Sequence, residues 1–354
     1  MKEVLTRWYQ RYLSEEEAVV LLVMLVAAFV VMLAFGEILA PVFVAVILAY
    51  LMQGVANVMR HRGLPAELSV AISTLLFLGG FLAVLFGLAP LVWRQLVALV
   101  REAPTMIEAG RQVLVTLPEE YPVLFTQQQV NELTSVIQAE MAAMGQLLVT
   151  KGLSSIPSML ALFVYLILIP LMVFFFLKDR DQVIGWFAGF LPAKRPLLDR
   201  IWGELNLQFA NYARGKGIEI LIIGGASYLV FALFSLNYAA LLGLLVGLSV
   251  IVPYIGATLV TIPVVVVAYA QFGVSPDFYW VVGAYIVIQV LDGNVLVPLL
   301  FSEAVNLHPV AIVIAVLFFG GLWGLWGVFF AIPLATLVNA ILTAWPSTEA
   351  LSHS

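Results

Sequence analysis

The chain has 354 residues, 63% of them hydrophobic and 10% charged, with a mean hydropathy of +1.07 and a formal net charge of −5. Soluble domains carry about 45–50% apolar and about 25% charged residues, so this composition excludes a soluble enzyme, a disordered chain and a basic nucleic-acid binder. Cysteine is absent, which removes disulfides, thiolate chemistry and Cys-based metal sites and leaves the redox compartment open.

The apolar runs are long and unbroken, unlike the short alternating segments of an outer-membrane barrel. The expected fold is all-α and polytopic. At about 20 apolar residues per crossing, eight stretches qualify: roughly Ala18–Phe35, Ile38–Val58, Leu68–Val92, Pro157–Leu177, Ile218–Leu236, Ala239–Ala270, Phe278–Leu300 and Pro309–Thr343.

In chain order, residues 1–17 read as a cytoplasmic interfacial helix. Leu5, Trp8, Tyr9, Tyr12 and Leu13 fall at helical spacing among Lys2, Arg7 and Arg11, a pattern suited to an anionic leaflet. Ser14 and Glu17 fit a capping box for the first span. Glu15, Glu16 and Glu17, with no small-x-small site after the first run, argue against a signal peptide. Residues 18–92 hold spans one to three. Residues 93–156 form an extracytoplasmic helical segment interrupted by Pro104, Pro118 and Pro122. In it Val130, Leu133, Ile137, Met141, Met144 and Leu148 make an amphipathic stripe behind a second capping box, Thr126 with Gln129. The stripe packs on its own protomer, contacts another protomer or covers a substrate path. Span four is 157–177. Residues 178–216 are a cytoplasmic helical segment split by Pro192 and Pro196, with Ile201, Leu205 and Phe209 on one face. Asp179, Arg180 and Asp181 mark its membrane boundary. Spans five to eight occupy 217–345, and 346–354 is a cytoplasmic tail.

Orientation follows the basic residues near span ends. Twelve Lys and Arg residues lie in the N-terminus, the 59–66 loop and the 178–216 segment. Four (Arg94, Arg101, Arg111 and Lys151) lie between spans three and four, beside six acids. Both termini are therefore expected in the cytoplasm. No Lys or Arg follows Lys216, so the last four spans are oriented by counting alone.

Two stretches are too long for simple crossings. Ala239–Ala270 would span about 48 Å as a helix, against a hydrocarbon core of about 30 Å. It contains Gly243, Gly247, Pro253-Tyr254-Ile255-Gly256 and Pro263. Pro309–Thr343 contains Gly320-Gly321, Gly324, Gly327 and Pro333. Proline removes a backbone donor, and in lipid the freed carbonyls require protein or a wet cavity. Paired interrupted segments of this kind point to a transporter binding site. Both stretches place an Ile-Pro pair after a glycine, a trace of an internal repeat. Gly243/Gly247 and Gly320/Gly324 equally suit close helix packing, and the two readings are compatible. Whether each stretch is a re-entrant hairpin or a kinked rod stays open.

Span seven carries Gln289, Asp292, Gly293 and Asn294 near its middle. A carboxylate at a helix centre costs about 2.5–3.5 kcal/mol to insert and faces a cavity or a partner. Asp292 can carry a proton or bind a cation, with Asn294 and Gln289 supplying neutral oxygens. The alternative is interhelical hydrogen bonding. Glu219, within one turn of the cytoplasmic edge, can snorkel and reads as structural. His308, at the outer end of span eight, reads as a satisfied interfacial residue.

The chain resembles the autoinducer-2 exporter family of bacterial, PerM-like permeases. The residues carrying the resemblance are Phe-Phe-Phe-Leu-Lys-Asp-Arg at 174–180, Tyr212-Ala213-Arg214-Gly215 and Pro253-Tyr254-Ile255-Gly256. To these are added Asn294 with Pro298, Leu307-His308-Pro309, and Gly327 through Ala331-Ile332-Pro333-Leu334. The resemblance implies a multi-pass inner-membrane protein that assembles as a homo-oligomer. Family members include exporters of a quorum-sensing signal, and some resemble sodium(lithium)/proton antiporters. Two departures stand out: Lys216 where the family usually has Gln, and Asp292-Gly293-Asn294 where many members have Asp-Asn.

The expected function is thus a secondary transporter exporting or exchanging a small solute or ion, proton- or sodium-coupled. The expected pathway residues are Asp292, Asn294, Gln289, Pro253, Tyr254, Gly256, Pro298 and Pro333. The alternative is an oligomeric passive pore or membrane scaffold. No P-loop, His-Glu-x-x-His or Gly-x-Ser-x-Gly occurs, so neither ATP use nor intramembrane catalysis is expected. No catalytic residue, metal or cofactor is expected. The partners are the lipid bilayer, the solute or ion and further copies of the chain, with no nucleic acid.

Overall fold

The computed structural model describes residues 16–120, 156–192, 195–253, 255–301 and 308–344, with isolated positions between 128 and 139. The expected N-terminal interfacial helix, the stripe from Val130 to Leu148, and Tyr254 lie outside these residues. Among the described residues every regular element is helical: α1 (Glu16–His61), α2 (Ala66–Ala83), α3 (Ala89–Glu120), α4 (Ile156–Lys178), α5 (Arg180–Ala188), α6 (Pro196–Leu233), α7 (Ala239–Ser249), α8 (Ile255–Phe272), α9 (Pro276–Leu291), α10 (Val297–Phe301) and α11 (Pro309–Ala344). A π-helical turn, Val84–Leu88, joins α2 to α3, and another, Asp292–Leu296, joins α9 to α10. Seven helical windows are long and apolar enough to cross a membrane, or eight if the bent pair α4–α5 counts as one. The all-α polytopic expectation holds.

Two boundaries differ from the sequence reading. Spans one and two lie head to tail on the single helix α1, with no turn at Gly36-Glu37. Gly36 serves packing: a Cβ there would run into the indole Nε1 of Trp323. Neither Pro104 nor Pro118 interrupts the segment after span three, because α3 continues through both to Glu120.

The chain forms two compact units. Unit 1 comprises residues 1–77, 168–218 and 297–354; unit 2 comprises 78–167 and 219–296. The core of unit 2 gathers Phe231, Leu242, Val246, Val264, Val267, Val281 and Tyr285. Helix α7 packs on α8 and α3 in this core, and α8 packs on α9. Unit 1 contains a cluster around Leu21, Leu198 and Ile201, and another around Ala315, Val316 and Ala331.

Both over-long stretches fold back on themselves as helical hairpins. In unit 2, α7 ends at Ser249, residues 250–253 are non-helical, and α8 returns from Ile255. A Cβ on Gly256 would fall on the Ser249 carbonyl oxygen, so the arms touch backbone to backbone at the apex. At 11 residues, α7 is about 16 Å long, too short to cross a core of about 30 Å. In unit 1, α11 reverses at Gly324, whose φ of 58° and ψ of −136° are non-helical. Ile312, Ala315, Val316 and Phe319 share one cluster with Val328, Ala331 and Ala335. On a straight rod Ile312 and Ala335 would stand about 35 Å apart.

The expected breakers are thereby sorted. Pro253 and Gly324 sit at the reversals, whereas Pro263 and Pro333 lie inside helical arms. Gly243 and Gly247 meet α6 closely: added Cβ atoms would lie 2.7 Å from Tyr228 Cβ and 2.9 Å from Gly224 Cα. Gly320 does not pair with Gly324 in a helix crossing. It makes room for Val328 of the returning arm.

Candidate functional site: a buried carboxylate at a helix interruption

Ser275 starts α9, its hydroxyl accepting from the Phe278 amide, with Pro276 in the first turn. Both are sound helix-start chemistry. The helix is then apolar until Gln289. At Asp292-Gly293-Asn294 it widens into a π turn. Glycine costs about 1 kcal/mol relative to alanine in a helix interior, and nothing lies within 4 Å of where a Gly293 Cβ would sit. Gly293 therefore loosens the helix and fills no packing role. Such π interruptions recur at functional sites because they redirect side chains and free backbone groups.

The three polar residues separate at this turn. Asp292 is buried, 9% exposed. The Gln289 amide nitrogen is buried and donates to no partner among the described residues. Asn294 faces outward, and its Nδ2 donates to the Val290 carbonyl at 2.8 Å. Asn294 thus satisfies backbone that the π turn unsettles, and Asp292 is the inward charge.

The hairpin reaches the same level. Helices α8 and α9 pack antiparallel across a short link, with Thr261 Oγ1 and Tyr285 Oη 2.9 Å apart. Two turns further along this pair, the antiparallel count brings Asp292 to the start of α8 at Ile255. Pro253 is half-buried and Gly256 buried there. A carboxylate and an interrupted backbone at one depth can hold a cation or exchange a proton.

The end of unit 2 where α7 begins is strapped by polar bonds. Gln95 Oε1 accepts from the Leu241 amide at 2.8 Å, in the first turn of α7. Tyr238 Oη donates to Glu102 at 2.6 Å. Gln271 accepts from the Asn237 amide and donates to the Ser235 carbonyl. Burial, with the Glu102 hydrogen bond and charge added, pushes the Tyr238 phenol up to about 12.

The sequence reading placed Glu219 at a snorkelling edge position. In the structure it is 1% exposed, a second buried carboxylate of unit 2. The available signal was its setting, between Ile218 and Ile220-Leu221 inside an apolar helix. Distance from the last basic residue misled, because α6 runs unbroken from Pro196 to Leu233 and carries Glu219 at its middle.

Pro298 and Pro333 belong to unit 1. Pro298 is exposed on α10. Pro333 lacks the N–H that would bond the Phe329 carbonyl one turn earlier. Tyr212 Oη donates to that carbonyl instead, at 2.8 Å. Nearby, the Lys216 ammonium, 5% exposed, lies 5.2 Å from the Phe301 ring centroid, a cation–π contact. His308 is exposed, and its Nδ1 accepts from the Val310 amide at the start of α11, which fits its reading as a satisfied residue.

Apolar helices sufficient for several crossings, among them an interrupted hairpin and a helix with a buried carboxylate in unit 2, mark a multi-pass membrane protein of the transporter class. The profile of the AI-2E family transporter family matches residues 21–347, and the chain belongs to that family. It is 45% identical over 349 residues to the Escherichia coli (strain K12) protein named "Putative permease PerM", covering 99% of each chain. Two Bacillus subtilis (strain 168) proteins, named "Putative transport protein YueF" and "Putative transport protein YrrI", are 26% and 25% identical. These matches cover 85% and 88% of this chain and 82% and 87% of the relatives.

Proposed function

We propose that the protein is a secondary transporter of the bacterial inner membrane that exports or exchanges a small solute or ion by alternating access. Proton or sodium coupling is assigned to Asp292, and assembly as a homo-oligomer is part of the proposal. The observation that carries this reading is a carboxylate, 9% exposed, in the π turn of an otherwise apolar helix. Such a group is costly to insert, by about 2.5–3.5 kcal/mol, and a change in its proton or cation occupancy is the simplest event that would bias two conformations. Gln289 supplies neutral polar contacts, and the Pro253–Gly256 apex supplies backbone carbonyls. The family description makes autoinducer-2 the first solute to assay.

The Arg60–Arg62 loop and the 178–216 segment face the cytoplasm in this reading. With α6 and α9 as crossings and each hairpin returning to its own side, the C-terminus is cytoplasmic. Lys2, Arg7 and Arg11 assign the N-terminus there too. A continuous α1 that crosses once, at Ile38–His61, would instead put the N-terminus on the opposite side of the membrane. Impermeant thiol labelling of Lys2→Cys and Ser352→Cys variants in oriented vesicles checks both ends.

The central test is Asp292→Asn in reconstituted vesicles. Flux should lose its dependence on an imposed proton or sodium gradient, and uptake driven by the solute gradient alone should persist. Unchanged gradient dependence refutes the assignment, and gradient-independent flux in the wild type points to a passive pore.

A further inference from the structure

Helix α5 leaves α4 at a sharp corner, 81° between the two. Lys178 closes α4 with its ammonium 5.7 Å from the centroid of the Phe174 ring, so its stem follows the apolar helix to its end. A helix that turns through nearly a right angle at the end of a span runs along the membrane surface.

The direction of α5 is fixed from behind. Arg195 Nη1 donates to the carbonyl of Ala188, the last residue of α5, at 2.7 Å, and its Nε donates to Asp199 at 3.1 Å. A cation on a helix C-terminal carbonyl is favourable through both charge and dipole. Just beyond the helix, Leu191 joins the cluster of Leu21, Leu198 and Ile201. The opposite face presents Trp186, Phe187 and Phe190, which are 63%, 62% and 72% exposed. The Trp186 ring centroid lies 4.8 Å from that of Phe187 and 5.0 Å from that of Phe190. Three aromatic rings form one contiguous patch on a braced helix.

We propose that α5 is an interfacial anchor whose Trp186–Phe187–Phe190 patch inserts into the headgroup–acyl boundary of the leaflet where α4 ends. Aromatic rings with apolar bodies concentrate at this depth. Charge is not the driver. Residues 178–200 set Lys178, Arg180, Lys194, Arg195 and Arg200 against Asp179, Asp181 and Asp199, a net charge of +2, short of the clusters of about 4–8 basic residues that read anionic lipid. The helical period puts Asp181, with its side chain 98% exposed, on the water side of α5, and Val183 on the aromatic side.

The absence of cysteine makes site-specific spin labelling direct. Trp186→Cys, Phe190→Cys, Val183→Cys and Asp181→Cys are made in the full chain and reconstituted into phosphatidylcholine vesicles with and without phosphatidylglycerol. Val183→Cys leaves all three rings in place, so a change caused by removing a ring is separable from the depth of the helix. Oxygen should outcompete a nickel chelate as relaxant at 183, 186 and 190, nickel should win at 181, and phosphatidylglycerol should shift none of them. Nickel-dominated relaxation at 183, 186 and 190 places the patch in water and overturns the proposal. Protection from both relaxants there overturns it in favour of a protein contact. A depth that follows phosphatidylglycerol overturns the aromatic mechanism.

Discussion

The hairpins of the two units solve one problem with different chemistry. Each brings its arms together at a glycine of the returning arm, Gly256 against the Ser249 carbonyl and Gly327 against the Phe319 carbonyl. In unit 2 the reversal includes residues 250–253, and the end where α7 begins is tied by Gln95, Glu102 and Gln271. In unit 1 the reversal takes one glycine, and the apex is held by rings. Phe43 meets Trp323 edge-on at 5.1 Å, Trp323 stacks on Phe330 at 5.8 Å, and Phe330 stacks on Phe209 at 5.9 Å. The difference shows that backbone contact is the shared requirement, and that what surrounds it is free to vary between hydrogen bonds and aromatic packing.

The largest expected effect tests that shared requirement. Gly256→Ala and Gly327→Ala each drive a Cβ into backbone, which cannot rotate away. Each should cost about 3 kcal/mol or more and appear as loss of monodisperse protein or a large fall in Tm in detergent. Gly321→Ala, with open space around its Cβ, is the control and should stay near wild type. Equal tolerance at 256 and 327 would sever the comparison. Gly324→Ala sharpens it, because φ of 58° with ψ of −136° strains any residue with a Cβ by about 1–3 kcal/mol. A residue inside the wider reversal of unit 2, such as Val252→Ala, should show no such penalty.

A middle-sized effect concerns Tyr212 and Pro333. Tyr212→Phe leaves the Phe329 carbonyl without its hydroxyl donor, at a cost of about 1–3 kcal/mol for a buried acceptor. Pro333→Ala restores the helical N–H for the same carbonyl. The double variant should therefore lose less stability than Tyr212→Phe alone, and thermal melts of the four proteins form the cycle. Strict additivity would show that the hydroxyl and the missing N–H are unrelated.

How much of this was legible follows from the range of each signal. Apolar run length and Gly/Pro position are local, so the helical class, the two interrupted stretches and the burial of Asp292 could be read directly. What failed depends on neighbours distant in sequence. The gap between Phe35 and Ile38 reads as the boundary of two spans, whereas the helix runs on and Gly36 packs against Trp323. Pro333 read as a break because its compensating hydroxyl lies on Tyr212, 117 residues from the acceptor. Glu219 read as an edge residue because only the length of α6 shows it to be internal.

The smallest predicted effect separates the two kinds of support by pH. The Tyr238 phenol, raised from 10.0 to about 12 by burial and by Glu102, holds its proton more tightly in the folded protein than in the unfolded chain. Its contribution is complete below about pH 10 and is lost as the pH rises from 10 toward 12. At neutral pH Tyr238→Phe should cost only about 0.5 kcal/mol, since Glu102 is exposed and water competes for the bond. Between pH 10 and 12 the wild type should lose that margin over the variant, read as converging Tm values. The rings around Phe330 carry no group that titrates in this range, so Phe43→Leu should lower Tm by the same amount at pH 8 and pH 11. A margin for Tyr238 that stays constant across that interval would mean the phenol is not bound to a charge, and the polar strapping of unit 2 would then rest on Gln95 and Gln271.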